Sequence, residues 1–275
     1  MYDRERVPEA LPAFARALDA VPVDDLWVVE DLGWAGGMTS AAIALGATER
    51  LRVGLGIAPA PLRNPVLLAM ELATLARAYP GRLTAGVGHG VPGWMAQVGA
   101  GTPHKLALLG DTITAVRTLL RGETLTLHGE TVTVDGVRLV HPPAQVPPVV
   151  AGVVRPRSLA LSGRVADGTV LPEGIGPAAV TAARRQIGAT GPHELTVFTY
   201  LSPDPDAPAL AELVADQAGW LGVDPAEVYS AAGPADLAAE RVRALWDAGV
   251  DTVAVRPLTD DPIAEVRALL AALGR

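Results

Sequence analysis

The 275-residue chain contains no cysteine, and this one absence excludes several kinds of chemistry. Disulfide bonds, thiolate metal sites and a cysteine nucleophile all need the missing side chain. Lysine is almost as rare, since Lys105 is the only lysine among 22 basic side chains. It lies at the predicted start of a helix and not at the end of a strand, which disfavours a Schiff-base aldolase.

Aromatic residues make up only 4% of the chain, although 49% of it is hydrophobic. The apolar residues are therefore mostly Ala, Val and Leu, a composition typical of buried parallel strands covered by Ala-rich helices. A chain of this length can form one large α/β barrel or two modest domains.

Clustered basic charge is also missing, because the net charge is −8 and the arginines are scattered along the chain. Nucleic-acid binding needs a basic patch or stripe, so we expect no nucleic-acid partner. No apolar run approaches the ~18 residues that span a bilayer, and the charged residues 1–6 do not resemble a signal peptide. We therefore expect no membrane partner and a cytoplasmic location.

Common metal and nucleotide motifs are absent as well. The five histidines show no paired ligand spacing, so we expect no metal site. The stretch Gly86-Val87-Gly88-His89-Gly90 lacks the third glycine of the dinucleotide fingerprint, and no Walker-type lysine motif occurs. Residues 80–94 instead predict a short buried strand followed by a glycine-rich loop whose backbone comes close to a ligand.

Apolar runs and helical stripes alternate along the chain, which predicts a parallel α/β sheet. Seven strands, each followed by a helix, are expected near residues 25–30, 51–57, 82–88, 149–152, 168–171, 194–201 and 251–255. The helix after the sixth strand is predicted as one long helical region, 207–246, broken near Gly233-Pro234. Residues 124–140 alternate with period two and predict a small hairpin insertion.

Eight such units would close a TIM (β/α)₈ barrel, so one strand is missing from the pattern. The missing strand should precede a helix predicted at residues 8–20, where only Met1 and Tyr2 provide strand-like residues. We therefore expect a barrel whose first strand is truncated.

Five pieces of the sequence, taken in order, resemble a known family. They are residues 26–31 (LWVVED), 48–57 (TERLRVGLGI), 64–69 (NPVLLA), 81–88 (GRLTAGVG) and 164–168 (RVADG). Their order and spacing resemble the luciferase-like flavin and deazaflavin oxidoreductases, particularly the F420-dependent branch that is similar to methylenetetrahydromethanopterin reductase. The resemblance implies one TIM-barrel domain over residues 1–275, which binds coenzyme F420, with FMN as the alternative cofactor.

The resemblance also implies where the cofactor is held. Gly56-Ile57 matches a bulge that carries a non-prolyl cis peptide against the cofactor ring, and two backbone loops match those that border the ribityl chain and phosphate. Main-chain N–H groups of such loops can hold an anion without lysine. The implied cofactor-binding residues are Asp31, Gly56, Ile57, Ala58, Gly88, His89, Gly90, Ala151, Gly152 and Val153.

The implied chemistry is hydride transfer at C5 of the deazaflavin, which leaves a proton to be delivered nearby. Glu30, at the end of the first predicted strand, is the expected proton-transfer acid, its pKa raised by burial. His89 is the second expected catalytic residue. Trp34, Trp94 and Glu173 are expected to line the substrate pocket.

We therefore expect an F420-dependent oxidoreductase that moves a hydride between deazaflavin C5 and a small organic substrate. The family resemblance also implies a homodimer. An FMN-dependent monooxygenase on the same scaffold is the alternative. A barrel that binds a flavin or deazaflavin without turnover is a third possibility, of another class.

Overall fold

A computed structural model describes residues 1–275, and its centre is a sheet of parallel strands. In chain order the strands are β1 (Asp25–Val28), β2 (Arg52–Pro59), β3 (Leu83–Gly88), β4 (Leu125–His128), β5 (Thr133–Val137), β6 (Val149–Gly152), β7 (Gly168–Leu171), β8 (Glu194–Ser202), β9 (Ala231–Ala232) and β10 (Thr252–Pro257).

Ten helices connect the strands and cover the outside of the sheet. They are α1 (Leu11–Asp19), α2 (Gly37–Gly46), α3 (Pro65–Ala78), α4 (Pro92–Gln97), α5 (Lys105–Leu120), α6 (Pro156–Val165), α7 (Pro177–Ile187), α8 (Pro208–Leu221), α9 (Ala235–Asp247) and α10 (Pro262–Leu273). Short 3₁₀ turns lie at Pro8–Ala10, Ala60–Leu62 and Pro225–Glu227.

The main strands are bonded in the order β1-β2-β3-β6-β7-β8-β10, and β9 adds to the end of β8. All these pairs are parallel, as the alternation of strands and helices predicted. Parallel strands with a helix after each one place all their carboxyl ends at the same mouth of the barrel. The seven-strand pattern and the parallel α/β fold class are therefore confirmed.

Met1 and Tyr2 lie in the gap between the first and last strands of this order. The Met1 nitrogen donates to the Val255 carbonyl of β10 over 2.6 Å. The Tyr2 backbone N–H donates to the Trp27 carbonyl of β1 over 2.9 Å. These two residues thus lie where an eighth strand would close the barrel, and β6 lies across the barrel from them.

Helix α3 shows how local sequence sets an element that supports the site. Asn64 caps its start, because the side-chain Oδ1 accepts a hydrogen bond from the Val66 N–H over 2.9 Å. Pro65 follows at the first helical position, where a missing N–H costs nothing. Leu68 and Leu72 then lie one turn apart and are fully buried against the sheet.

The predicted insertion is an antiparallel hairpin made of β4 and β5. It packs on α5, where Asp111 accepts hydrogen bonds from both the backbone N–H and the hydroxyl of Thr131. The hairpin therefore extends the wall of the barrel mouth next to the start of α5.

Two predicted segments differ from the structure. In the helical region expected at 207–246, α9 begins directly after the predicted break at Gly233-Pro234, but α8 already ends at Leu221, before Gly222 with its left-handed φ of 75°, and β9 lies between the two helices. The loop after β3 contains the short helix α4, started by Pro92. No helix is long and apolar enough to cross a membrane.

Candidate active site

A single large cavity of about 1380 Å³ opens at the carboxyl ends of the strands. Its wall includes residues from the ends of β2, β6, β7, β8 and β10 and from the first turns of α5 and α6. The second cavity found in the molecule holds only about 230 Å³ and lies away from this mouth. The cavity is large enough for an organic ligand, and it lies at the carboxyl ends of the strands, where TIM-barrel enzymes have their active sites.

Most of the residues predicted for the site line this cavity. They are Glu30, Asp31, Gly56, Ile57, His89, Gly90, Trp94, Gly152, Val153 and Glu173. Four predicted residues do not line it: Ala58, Gly88, Ala151 and Trp34. The first three are buried in the sheet, where side chains alternate between its two faces, and Trp34 lies on the outer rim, 39% exposed.

The bulge at the end of β2 has the predicted backbone geometry. The peptide bond between Gly56 and Ile57 is cis. A β-carbon added to Gly152 would lie 2.5 Å from Cγ2 of Ile57, and one added to Gly88 would lie 2.7 Å from its Cδ1. The Ile57 side chain therefore occupies space that only glycine leaves free on two neighbouring strands.

One end of the cavity carries basic side chains that no carboxylate neutralises, and we call it the cationic end. It consists of Lys105, the first residue of α5, and of Arg155 and Arg157, which flank the start of α6. Neither helix has a side chain that caps its N-terminus. Free backbone N–H groups and positive charge together make this end a site for an anion.

His89 connects the loop after β3 to the start of α6. Its Nε2 lies 2.9 Å from the hydroxyl oxygen of Ser158, in the first turn of that helix. Burial lowers the pKa of His89, so its neutral form is favoured. A neutral imidazole held by a hydroxyl at the cationic end is suited to binding and orientation rather than to supplying charge.

Glu30 has no free carboxylate oxygen. The Arg63 guanidinium donates to both oxygens, over 2.9 and 2.7 Å, and the Gly37 N–H at the start of α2 donates to the second over 3.1 Å. Only 13% of the Glu30 side chain and 23% of the Arg63 side chain are exposed. Three donors therefore hold the Glu30 carboxylate, and its ion-pair partner Arg63 is a residue that the sequence did not reveal.

The end of the cavity across the barrel contains a second group of charged side chains, which we call the carboxylate end. Arg256, from β10, donates to Asp3 over 2.7 Å and lies 4.0 Å from the carboxylate of Glu173. The Arg256 guanidinium also lies 5.8 Å from the ring centre of Tyr200. Strand ends β7, β8 and β10 and the N-terminal residues thus converge on one polar cluster.

Glu173 differs from Glu30 in that no other residue donates a hydrogen bond to its carboxylate, which faces its own backbone N–H. Burial raises the pKa of Glu173, although the positive charge of Arg256 partly opposes this. Burial also raises the pKa of the neighbouring Tyr200 hydroxyl, which therefore stays protonated. The cavity thus contains a carboxyl group that can exist in its protonated form next to a phenol.

Arg4 completes the carboxylate end on the side of β1. It donates to Asp31 over 2.7 Å, and its guanidinium lies 4.5 Å from the ring centre of Trp34. The rings of Trp34 and Trp94 are 5.9 Å apart. Asp31 therefore binds an arginine at the rim, and the two tryptophans form a wall with that arginine.

Sequence reasoning missed Asp3, Arg4 and Arg63 as parts of the site. Arg256 and Tyr200 carry a usable signal, since each lies at the end of a predicted strand. Asp3 and Arg4 carry none, because they precede the first recognisable element. Arg63 follows a proline-rich loop, and only the folded structure shows that it pairs with Glu30.

The structure thus combines a parallel barrel, a cis peptide at the end of β2 and a large cavity with unpaired basic side chains at one end. The luciferase-like monooxygenase family matches residues 1–268 of the sequence. The chain therefore belongs to this family, which confirms the resemblance found in the sequence.

Curated relatives of this chain include proteins named as F420-dependent enzymes. An F420-dependent glucose-6-phosphate dehydrogenase from Nakamurella multipartita is 30% identical over 186 residues, which cover 63% of this chain and 55% of that relative. The chain thus spans about half the length of this relative. A 5,10-methylenetetrahydromethanopterin reductase from Methanolobus tindarius is 24% identical, over 94% of this chain and 85% of that protein.

The fold also matches a solved structure described as an F420-dependent secondary alcohol dehydrogenase in complex with an F420-acetone adduct. The TM-score is 0.84 at 20% identity, and the match covers 98% of this chain and 96% of that chain. At this identity the likeness establishes the fold, and it confirms the TIM-barrel architecture expected from the sequence.

Proposed function

We propose that this protein is an F420-dependent oxidoreductase that transfers a hydride between C5 of the deazaflavin and a small organic substrate. The observation that carries the proposal is the cationic end of the cavity, where the uncapped starts of α5 and α6 lie with Lys105 and Arg157. The third basic side chain, Arg155, donates to the Trp220 and Leu221 carbonyls at the end of α8. The F420-dependent relatives support this cofactor over FMN.

The residues present fit such a cofactor. The first turn of α6, with Arg157 and Ser158, would hold the phosphate, and Lys105 would contact the anionic tail beyond it. Ile57 and the glycines beside it would form the surface against the ring. When bound, the deazaflavin supplies a hydride donor and acceptor at carbon, which none of the protein side chains can provide.

The protein must then move one proton for each hydride. When a carbonyl is reduced to an alcohol, hydride bonds to the carbon and a proton bonds to the oxygen. We assign the proton to Glu173, because its carboxyl group lines the cavity, accepts no hydrogen bond from another residue and has a raised pKa. In the oxidation direction the Glu173 carboxylate accepts the hydroxyl proton.

Glu30 receives a different role in this proposal. Its two oxygens accept hydrogen bonds from Arg63 and from the start of α2, so the protein itself holds the carboxylate. It is a positioning residue that fixes the loop after β1 to the start of α3. Asp31, in that loop, would in turn keep Arg4 and the tryptophan wall in place.

Oxidation of reduced F420 in the presence of a panel of ketones, aldehydes and activated alkenes tests the proposed activity. We expect protein-dependent reappearance of the visible absorbance of oxidised F420 with at least one compound. Glu173→Gln should lower kcat by about 100-fold, within the range for loss of a general acid, without changing F420 binding. Binding of F420 without oxidation by any compound would instead favour a barrel without turnover.

A further inference from the structure

The two arginines of the carboxylate end are both occupied by the protein's own carboxylates. Arg256 donates to Asp3 over 2.7 Å and Arg4 donates to Asp31 over 2.7 Å. The side chains in the first pair are only 13% and 15% exposed. An anionic substrate group that approached either guanidinium would therefore meet the charge of a carboxylate that is already paired with it.

The charge balance of the carboxylate end points in the same direction. Even with Glu173 counted as neutral, the two guanidinium groups face three carboxylates, those of Asp3, Asp31 and Asp216. Asp216, from α8, lines the cavity near Tyr200 and has no basic partner. A phosphate or carboxylate on the substrate would meet net negative charge there.

The unneutralised cations lie on the other side of the barrel. Lys105, Arg155 and Arg157 form no ion pair with any carboxylate, and they lie around β6, across from Met1 and Tyr2. The acidic groups nearest to them are already bound, since Asp111 accepts from Thr131 and Glu130 contacts His104. Under the proposed function the cofactor's own phosphate and tail take these cations.

The remaining surface of the carboxylate end is apolar or aromatic. Phe198, Tyr200 and Trp94 line the cavity there, and Trp34 packs behind Trp94. Such a surface binds uncharged organic groups by burial, while the Tyr200 hydroxyl and the Glu173 carboxyl can hydrogen-bond one oxygen atom.

We propose that the substrate is an uncharged alcohol or carbonyl compound, and that the paired arginines exclude phosphorylated substrates from the carboxylate end. The proposal rests on the proposed function, because it assigns the cationic end to the cofactor. It separates this chain from a relative named for a sugar phosphate, glucose 6-phosphate.

Calorimetric titration of the F420-saturated protein with glucose 6-phosphate tests the exclusion without requiring a known substrate. We expect no saturable binding up to about 10 mM, which corresponds to a very weak interaction. One-to-one binding of glucose 6-phosphate with a Kd below about 1 mM would overturn the inference. Failure of F420 itself to bind, measured first by its fluorescence, would instead refute the proposed function on which this inference rests.

Two variants make the same test in the opposite direction. Asp31→Asn leaves Arg4 without its carboxylate, and Asp3→Asn does the same for Arg256, so each should strengthen glucose 6-phosphate binding by about tenfold or more. Glu123→Gln is the matched control, since it removes a carboxylate from an exposed pair with Arg121 outside the cavity. Because Asp31 is more exposed than Asp3, Asp31→Asn is the variant more certain to fold.

Activity provides the second arm of the experiment. With F420 as hydride acceptor, kcat/KM for uncharged secondary alcohols such as cyclohexanol and butan-2-ol should exceed that for glucose 6-phosphate by at least about tenfold. A higher kcat/KM for the phosphorylated sugar in the unmodified protein would contradict the inference. Asp31→Asn and Asp3→Asn are each compared with Glu123→Gln for their affinity for glucose 6-phosphate. If all three variants bind it equally weakly, arginine pairing is not the cause of the exclusion.

Discussion

The Glu30–Arg63 pair provides the sharpest mutational test, because a structural role and a proton-transfer role predict opposite results. Glu30→Gln keeps the side-chain size and an oxygen that can accept from the Gly37 N–H, but it removes the charge from a largely buried bidentate pair. Hydrogen bonds to charged groups contribute about 1.5 to 3 kcal/mol each, and the partner is left buried without its countercharge. We expect a loss of about 2 kcal/mol.

A loss of that size should lower the melting temperature by about 4 to 8 °C for a chain of this size. The assay is thermal unfolding, followed by circular dichroism, together with F420-dependent kcat over a range of pH. The kcat of Glu30→Gln should fall by less than about fivefold, with an unchanged pH profile, since the proton is assigned elsewhere.

Glu71→Gln is the matched control for this variant. Glu71 binds the same Arg63 over 2.7 Å, but its side chain is 45% exposed, so its removal should cost about 0.5 kcal/mol or less. The reasoning is refuted if Glu30→Gln melts at the wild-type temperature while kcat falls by about 100-fold and a limb of the pH profile disappears. That result would return the proton-transfer role to Glu30.

Three further predictions test other parts of the account. Gly152→Ala places a β-carbon 2.5 Å from Cγ2 of Ile57, so the affinity for F420 should fall by about tenfold in a fluorescence titration. Gly93→Ala is the control, because a β-carbon there has no atom within 4 Å, and it should leave the affinity unchanged. Burial raises the pKa of Glu173, so the native state loses stability as pH rises from the pKa of the unfolded state through that of the folded state. In urea unfolding, Glu173→Gln should therefore gain stability relative to wild type between pH 5 and about pH 8. A stability difference that stays constant over this range would contradict the prediction. Asn64→Ala removes the cap of α3 and should cost about 1 kcal/mol in the same assay, while an unchanged midpoint would show that the cap contributes nothing.

The architecture could be predicted from the sequence because its signals are local. Apolar runs of four to eight residues alternate with helical stripes, and each signal lies within one element. The failure at 207–246 was also local. Gly222 and the Asp-Pro pair that follows it are signals for a helix end and a turn, which would have divided α8 from α9.

The chemistry of the site could be predicted only in part, because its deciding contacts are far apart in the sequence. Glu30 was predicted correctly as a cavity residue, but its partner Arg63 lies 33 residues later and could not be identified from the sequence. Asp3 and Arg256 are 253 residues apart and meet only because the barrel closes. Hydrophobic periodicity places strand ends at one mouth, yet it does not determine which charges pair there.

Equilibrium dialysis of the purified protein against an equimolar mixture of F420 and FMN tests the central claim most directly. The account predicts that F420 is retained at a stoichiometry of one and that FMN stays in the bulk solution. It also predicts weaker retention of F420 in Arg157→Ala, which removes a cation from the start of α6. Tight retention of FMN with no retention of F420 would contradict the account and identify the protein as a flavin-dependent member of the family.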